Sequence, residues 1–164
     1  MLKAKDIAAM IDHSLLRPNM TVEEIKAGCE VAKRYQRASV CVRPADVSLA
    51  AELLKGTGIA LSTVIGFPHG TQTTSIKLTE ALEAMEAGVV ELDMVMNYSR
   101  LLSGDFDYVA QEIKAITNAA HSRGAIIKVI FENCYLTDEL KIKACQLCEA
   151  AEADFVKTST GFGT

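Results

Sequence analysis

The chain has 164 residues, 49% of them apolar and 23% charged, with a formal net charge of −4. That size and apolar content suit one globular domain with a sizeable core rather than a disordered chain. The acidic balance and the lack of tryptophan argue against a basic, aromatic-lined nucleic-acid surface, and no apolar run reaches the roughly 18 residues of a membrane span.

The first ten residues carry three charges among the first six and read as a short amphipathic helix, not a signal peptide, which points to a cytoplasmic protein. A brief strand candidate, Met10 to Ser14, follows. Thr21 and Glu24 have the spacing of a capping box and open a helix. Then come five apolar, β-branched runs: 38–42, 60–65, 89–95, 125–131 and 154–159. Such runs suit strands covered on both faces, as parallel sheets require.

Between them lie helical segments. Residues 107–120 place Val109, Ile113, Ile116 and Ala120 at a helical period. Thr137 followed by Asp138 and Glu139 opens another helix with acids at its positive end. Gly88 and Gly124 stand where helices end before strands, and Pro18, Pro44 and Pro68 each follow a strand candidate. Strand alternating with helix at roughly 25–35 residues per unit predicts an α/β fold, either doubly wound or a (β/α)8 barrel. Neither a dinucleotide fingerprint nor a P-loop follows any strand.

Five cysteines without a framework spacing suit a reducing compartment. Cys145 and Cys148 form C-x-x-C inside a helical segment. With no second pair or histidines to complete a zinc set, they read as core packing.

The chemistry concentrates in the strands. Asp12 and Ser14 lie in the first, Cys41 in the second, Thr63 in the third, Asp93 in the fourth, Lys128 in the fifth and Lys157 in the sixth. Charges in buried strands are costly unless paired, so their recurrence at corresponding places predicts convergence on one site. A lysine in a dry site is easily deprotonated and can attack a carbonyl, while a neighbouring carboxyl relays protons. This is the outline of a metal-free, imine-forming aldolase.

Six stretches, taken together, resemble the deoxyribose-phosphate aldolase family: Ile11-Asp-His-Ser-Leu-Leu16, Ala38-Ser-Val-Cys-Val42, Val64-Ile-Gly-Phe-Pro68, Glu91-Leu-Asp-Met-Val-Met-Asn97, Lys128-Val-Ile-Phe-Glu132 and Phe155-Val-Lys-Thr-Ser-Thr-Gly-Phe-Gly163. The resemblance implies a TIM barrel that reversibly cleaves 2-deoxy-D-ribose 5-phosphate into acetaldehyde and glyceraldehyde 3-phosphate. It implies Lys157 as the Schiff-base lysine and Asp93 as the proton-relay acid. Lys128, Asp12, Ser14 and Cys41 would line the substrate site, with Thr160 and Gly161 opening a phosphate-contacting loop. No metal or organic cofactor is implied, and homo-oligomers are common in the family.

The sequence departs from the family at Gln36-Arg37 and at Arg43, where asparagine is frequent. The larger departure is that only six of the eight βα units are present, without the second lysine and the later phosphate loops. The expectation is therefore a partial (β/α)8-barrel domain over residues 1–164, weakly active or inactive by itself. Another lysine-dependent aldolase, and a non-catalytic paralogue acting through its open edge, are the alternatives.

Overall fold

The computed structural model describes residues 2–163. Six parallel strands form one sheet in sequence order: β1 (Asp12–Leu15), β2 (Ser39–Val42), β3 (Ala60–Ile65), β4 (Glu91–Val95), β5 (Ile126–Ile130) and β6 (Phe155–Lys157). Helices alternate with them: α1 (Ala4–Ala8), α2 (Val22–Tyr35), α3 (Val47–Leu54), α4 (Thr74–Glu86), α5 (Tyr98–Leu102), α6 (Phe106–Ser122) and α7 (Asp138–Ala150). Every strand candidate is present, each trimmed or shifted by a residue or two except β3. The fourth unit holds two helices, α5 and α6, where the apolar period marked only the second.

The local signals act as expected. Thr21 and Glu24 form a reciprocal capping box, Glu24 accepting the Thr21 N–H at 2.7 Å. Thr137 caps α7 through the Leu140 N–H. Gly124 closes the turn after α6 with a φ of 71°, a left-handed backbone at little cost for glycine.

Alternation along the strands divides the sheet into two faces. Val40, Val42, Leu61, Ile65, Leu92, Met94, Ile127 and Val129 point to one face and join a single core with the helices, including Ile25, Cys29, Ala81, Ile113 and Ile116. The opposite face carries the acidic and lysine side chains of the strands. The sheet curls around that face so far that Asp12 of β1 hydrogen-bonds Lys128 of β5. Strands in sequence order, with helices on the outer face and an inward polar face, make a curled part of a barrel rather than a doubly wound sheet.

β1 and β6 are the sheet edges, and on β6 the side chains of Phe155 and Val156 stand exposed, as an open apolar edge predicts. The two C-x-x-C cysteines part company: Cys148 is buried in the core, whereas Cys145 is exposed. Three residues advance a helix by about 300°, so a pair near the margin of the apolar stripe can split across it. No helix of the described residues is long and apolar enough to cross a membrane.

Candidate active site

The inward face assembles an ionic cluster from four strands. The β4–β5 register sets Asp93 beside Lys128, and the β1–β2 register sets Ser14 beside Cys41. Lys157 donates to the nearly inaccessible carboxylate of Asp93 in a short hydrogen bond, and its Nζ lies 3.6 Å from Asp12 Oδ2. Lys128 donates to Asp12 Oδ2 at 2.8 Å and to Glu91 Oε2 at 2.6 Å. Ser39 donates to the other Asp12 oxygen at 2.7 Å. The Cys41 thiol faces Asp93 Oδ2 at 3.9 Å.

A cavity of about 270 Å³ opens over this cluster, lined by Asp12, Ser14, Cys41, Asp93, Lys157 and Gly161 among others. Seven of the nine residues singled out from the sequence thus meet at one cavity, since Thr160 lines it too. Lys128 is set apart. It lines a second space with Glu91, Ile126 and Phe155, to which Asp12 and Lys157 also contribute. Its hydrogen bond to Asp12 joins it to the Lys157 cavity. Thr63 lies on the other face of β3, its hydroxyl donating to the Val42 carbonyl at 2.8 Å.

The electrostatics follow from three carboxylates facing two ammonium groups. Burial opposes ionisation of Asp12, but hydrogen bonds from Lys128 and Ser39 outweigh it and hold its pKa below the ordinary value. Burial also opposes the charge on Lys128, yet its bonds to Asp12 and Glu91 prevail and raise its pKa. The same contest on Lys157 is decided by the charge and hydrogen bond of Asp93, so its pKa is raised as well. Burial, reinforced by Asp93, pushes the Cys41 thiol up to about 12. Lys157 is therefore a well-placed amine held in its charged form, and Cys41 a neutral thiol.

Two carboxylates that sequence reading passed over complete the arrangement. Glu91 stands two residues before Asp93, and on a strand that spacing alone puts both on one face. Glu132 is buried just after β5, with a left-handed φ of 54°. It accepts from both the backbone N–H and the hydroxyl of Thr160, tying the loop after Lys157 to the end of β5. In this arrangement the Thr160 N–H is spent on Glu132, and the Phe162 N–H donates to the Thr160 hydroxyl at 3.0 Å. A group of three or more metal-ligating side chains does not occur among the described residues.

Two further charges support the site from behind. Lys77 of α4 and Glu112 of α6, both wholly inaccessible, pair at 2.9 Å. Lys77 also donates to the Val95 carbonyl at 2.8 Å, and Glu112 accepts the Asn97 N–H at 2.8 Å. The pair thereby pins the end of the strand that carries Asp93. No pattern in the sequence marks it, because the partners lie 35 residues apart on different helices.

Comparison with known proteins agrees with the resemblance in the motifs. Against the deoxyribose-phosphate aldolase of Caldanaerobacter subterraneus subsp. tengcongensis the chain is 55% identical over 159 residues, covering 96% of this chain and 69% of that protein. Against that of Aciduliprofundum boonei it is 50% identical over 163 residues, 99% of this chain and 73% of the other. Among solved structures, a chain from Coccidioides immitis, described as a candidate deoxyribose-phosphate aldolase, has a TM-score of 0.95 at 45% identity. It is matched over 99% of this chain but only 64% of its own length. The tetrameric deoxyribose phosphate aldolase from Aeropyrum pernix has a TM-score of 0.91 at 34% identity, over 99% of this chain and 68% of that one. The chain thus spans about two thirds of the length of the relatives it matches. Residues 7–164 match the family of DeoC/LacD aldolases, and the chain belongs to that family.

Proposed function

We propose that the chain forms the imine-bearing part of an aldolase that reversibly cleaves 2-deoxy-D-ribose 5-phosphate to acetaldehyde and glyceraldehyde 3-phosphate. The observation that carries this reading is the contact of Lys157 with Asp93 in a cavity large enough for a small sugar phosphate. In the cleavage direction the Lys157 amine adds to the C1 aldehyde. The carbinolamine loses water to give an iminium, with Asp93 delivering and recovering the proton. Loss of the proton from the C3 hydroxyl breaks the C2–C3 bond, and its electron pair moves into the iminium as an enamine. Glyceraldehyde 3-phosphate leaves, the enamine is protonated at C2, and hydrolysis returns acetaldehyde and the free lysine.

Asp12, Ser14 and Cys41 wall the reacting centre, Lys128 holds Asp12 in place, and the Thr160–Gly161 loop faces the phosphate end. The six βα units are read as the first six of a (β/α)8 barrel in a cytoplasmic enzyme of small phosphorylated substrates. Turnover by the six units alone is weak, because the cluster has one carboxylate more than it has cations and keeps Lys157 protonated. Association with further copies is compatible with the tetramer of the Aeropyrum pernix relative.

The test is reduction with borohydride in the presence of acetaldehyde, followed by mass mapping. An ethyl group on Lys157, absent in Lys157→Ala, is expected. An adduct elsewhere, or none at any pH up to the lysine range, would sink the assignment.

A further inference from the structure

The ionic cluster at Lys157 continues away from its cavity. Asp12 Oδ2 faces two ammonium groups at once, Lys128 at 2.8 Å and Lys157 at 3.6 Å. Lys128 in turn divides itself between Asp12 and Glu91, which accepts at 2.6 Å. Glu91, Lys128, Asp12 and Lys157 thus form one row of alternating charge. Glu91 stands at the far end of the row, where it lines the neighbouring space rather than the Lys157 cavity.

Asp12 already supplies Lys128 with a carboxylate, so a second one is not needed to neutralise it. Glu91 is the surplus. Of the three carboxylates that face the two ammonium groups, it is the one that makes no contact with Lys157. The Glu91 and Lys128 side chains are only 17% and 9% exposed, so water and salt screen their charges weakly. The remaining ionisable groups beside Lys157 are Asp93, in direct contact, and the neutral Cys41 thiol.

In such a row each ion pair weakens the next. Attraction to Glu91 draws Lys128 away from Asp12 and leaves Asp12 more negative toward Lys157. Without Glu91, Lys128 turns wholly to Asp12, and Asp12 holds the Lys157 charge less strongly.

We infer that Glu91 is a positioning residue that keeps Lys157 charged through Lys128 and Asp12, and so slows the attack of its amine on an aldehyde. The inference rests on Lys157 as the imine-forming residue and adds what restrains it. Its signature is a gain: removing a carboxylate that does not touch the amine should free that amine.

Trace acetic anhydride labelling at pH 8, mapped by mass spectrometry, reads the neutral fraction of Lys157, with folding verified by circular dichroism. Glu91→Gln keeps the size of the side chain and an acceptor oxygen for Lys128. Lys157 should acetylate about three- to tenfold faster in it, and borohydride trapping of acetaldehyde should quicken by a similar factor. Lys128→Met releases Asp12 to Lys157, so acetylation should be about three- to tenfold slower. Mere loosening of the site would speed both variants. Asp12→Asn cuts the row, and adding Glu91→Gln to it should change the labelling by less than about twofold. Native labelling in Glu91→Gln, an undiminished gain in the Asp12→Asn background, or an adduct that forms at the native rate despite faster acetylation overturns the inference. If Lys128→Met does not fold, the Glu91→Gln and Asp12→Asn comparisons decide it.

Acetylation reports on the amine without any imine, which separates the two proposals. Faster acetylation in Glu91→Gln, with no acetaldehyde adduct at Lys157 in either protein, would keep the hold of Glu91 on the charge and refute the imine assignment. A normal adduct beside unaltered acetylation would do the reverse.

Discussion

Replacing Asp93 by asparagine separates the two roles proposed for it. The carboxylate is almost inaccessible and contacts Lys157, whose side chain is one third exposed. Two opposite charges about 4 Å apart attract by about 4 kcal/mol at an effective dielectric constant of 20. Partial exposure screens that figure, and Asp12, 3.6 Å from the same ammonium, supplies some of the lost attraction. Allowing for both, about 1.5–3 kcal/mol of the preference for the charged amine should disappear, which is roughly a 10- to 100-fold rise in the neutral fraction. Competitive labelling with trace acetic anhydride reads that fraction directly and needs no proton relay. Mapped by mass spectrometry at pH 8, Lys157 should acetylate at least about tenfold faster in Asp93→Asn than in the native chain. Formation of the acetaldehyde adduct should nevertheless fall by about 100-fold or more, because carbinolamine dehydration loses its acid. Unchanged acetylation would show that Asp93 does not set the charge state of Lys157. Faster acetylation together with undiminished adduct formation would remove Asp93 as the relay.

Lys128→Met should destabilise the fold by about 2–4 kcal/mol at pH 7 in urea unfolding, because Asp12 and Glu91 lose their shared cation in a largely buried place. The Asp12 pKa is depressed in the folded chain, so its contribution is present above the ordinary carboxylate value and lost as pH falls through the folded one. Lys128 is raised, so its contribution is present below the ordinary lysine value and lost as pH climbs through the folded one. The difference between the two proteins should therefore be flat from about pH 5 to 10 and shrink below about pH 4; a difference that grows in acid would contradict the pairing. Lys77→Met should cost about 3–5 kcal/mol by stranding the buried Glu112, and Lys77→Met combined with Glu112→Leu should recover much of that loss. If the double variant is as unstable as the single, the bonds to Val95 and Asn97, rather than the stranded charge, hold the strand end.

Much of the architecture could be read along the chain because it is written in local chemistry. Thr21 and Glu24 mark a helix start through hydrogen bonds three residues apart, and β-branched runs such as 60–65 mark strands covered on both faces. Alternation with a period of two sends Asp12, Cys41, Asp93 and Lys157 to one side of the sheet once the strands run parallel and in order. The same rule would have identified Glu91. What could not be read was pairing between distant positions. That Lys128 belongs to Asp12 and Glu91 follows from how tightly the sheet curls. That Glu132 takes up Thr160, and that Lys77 meets Glu112, follows from which loops and helices pack together. The sequence by itself thus decided the elements, their order and which residues face inward, since those depend on neighbours along the chain. Only the tertiary structure decided the charge state of Lys157, because it depends on through-space distances that no local pattern encodes.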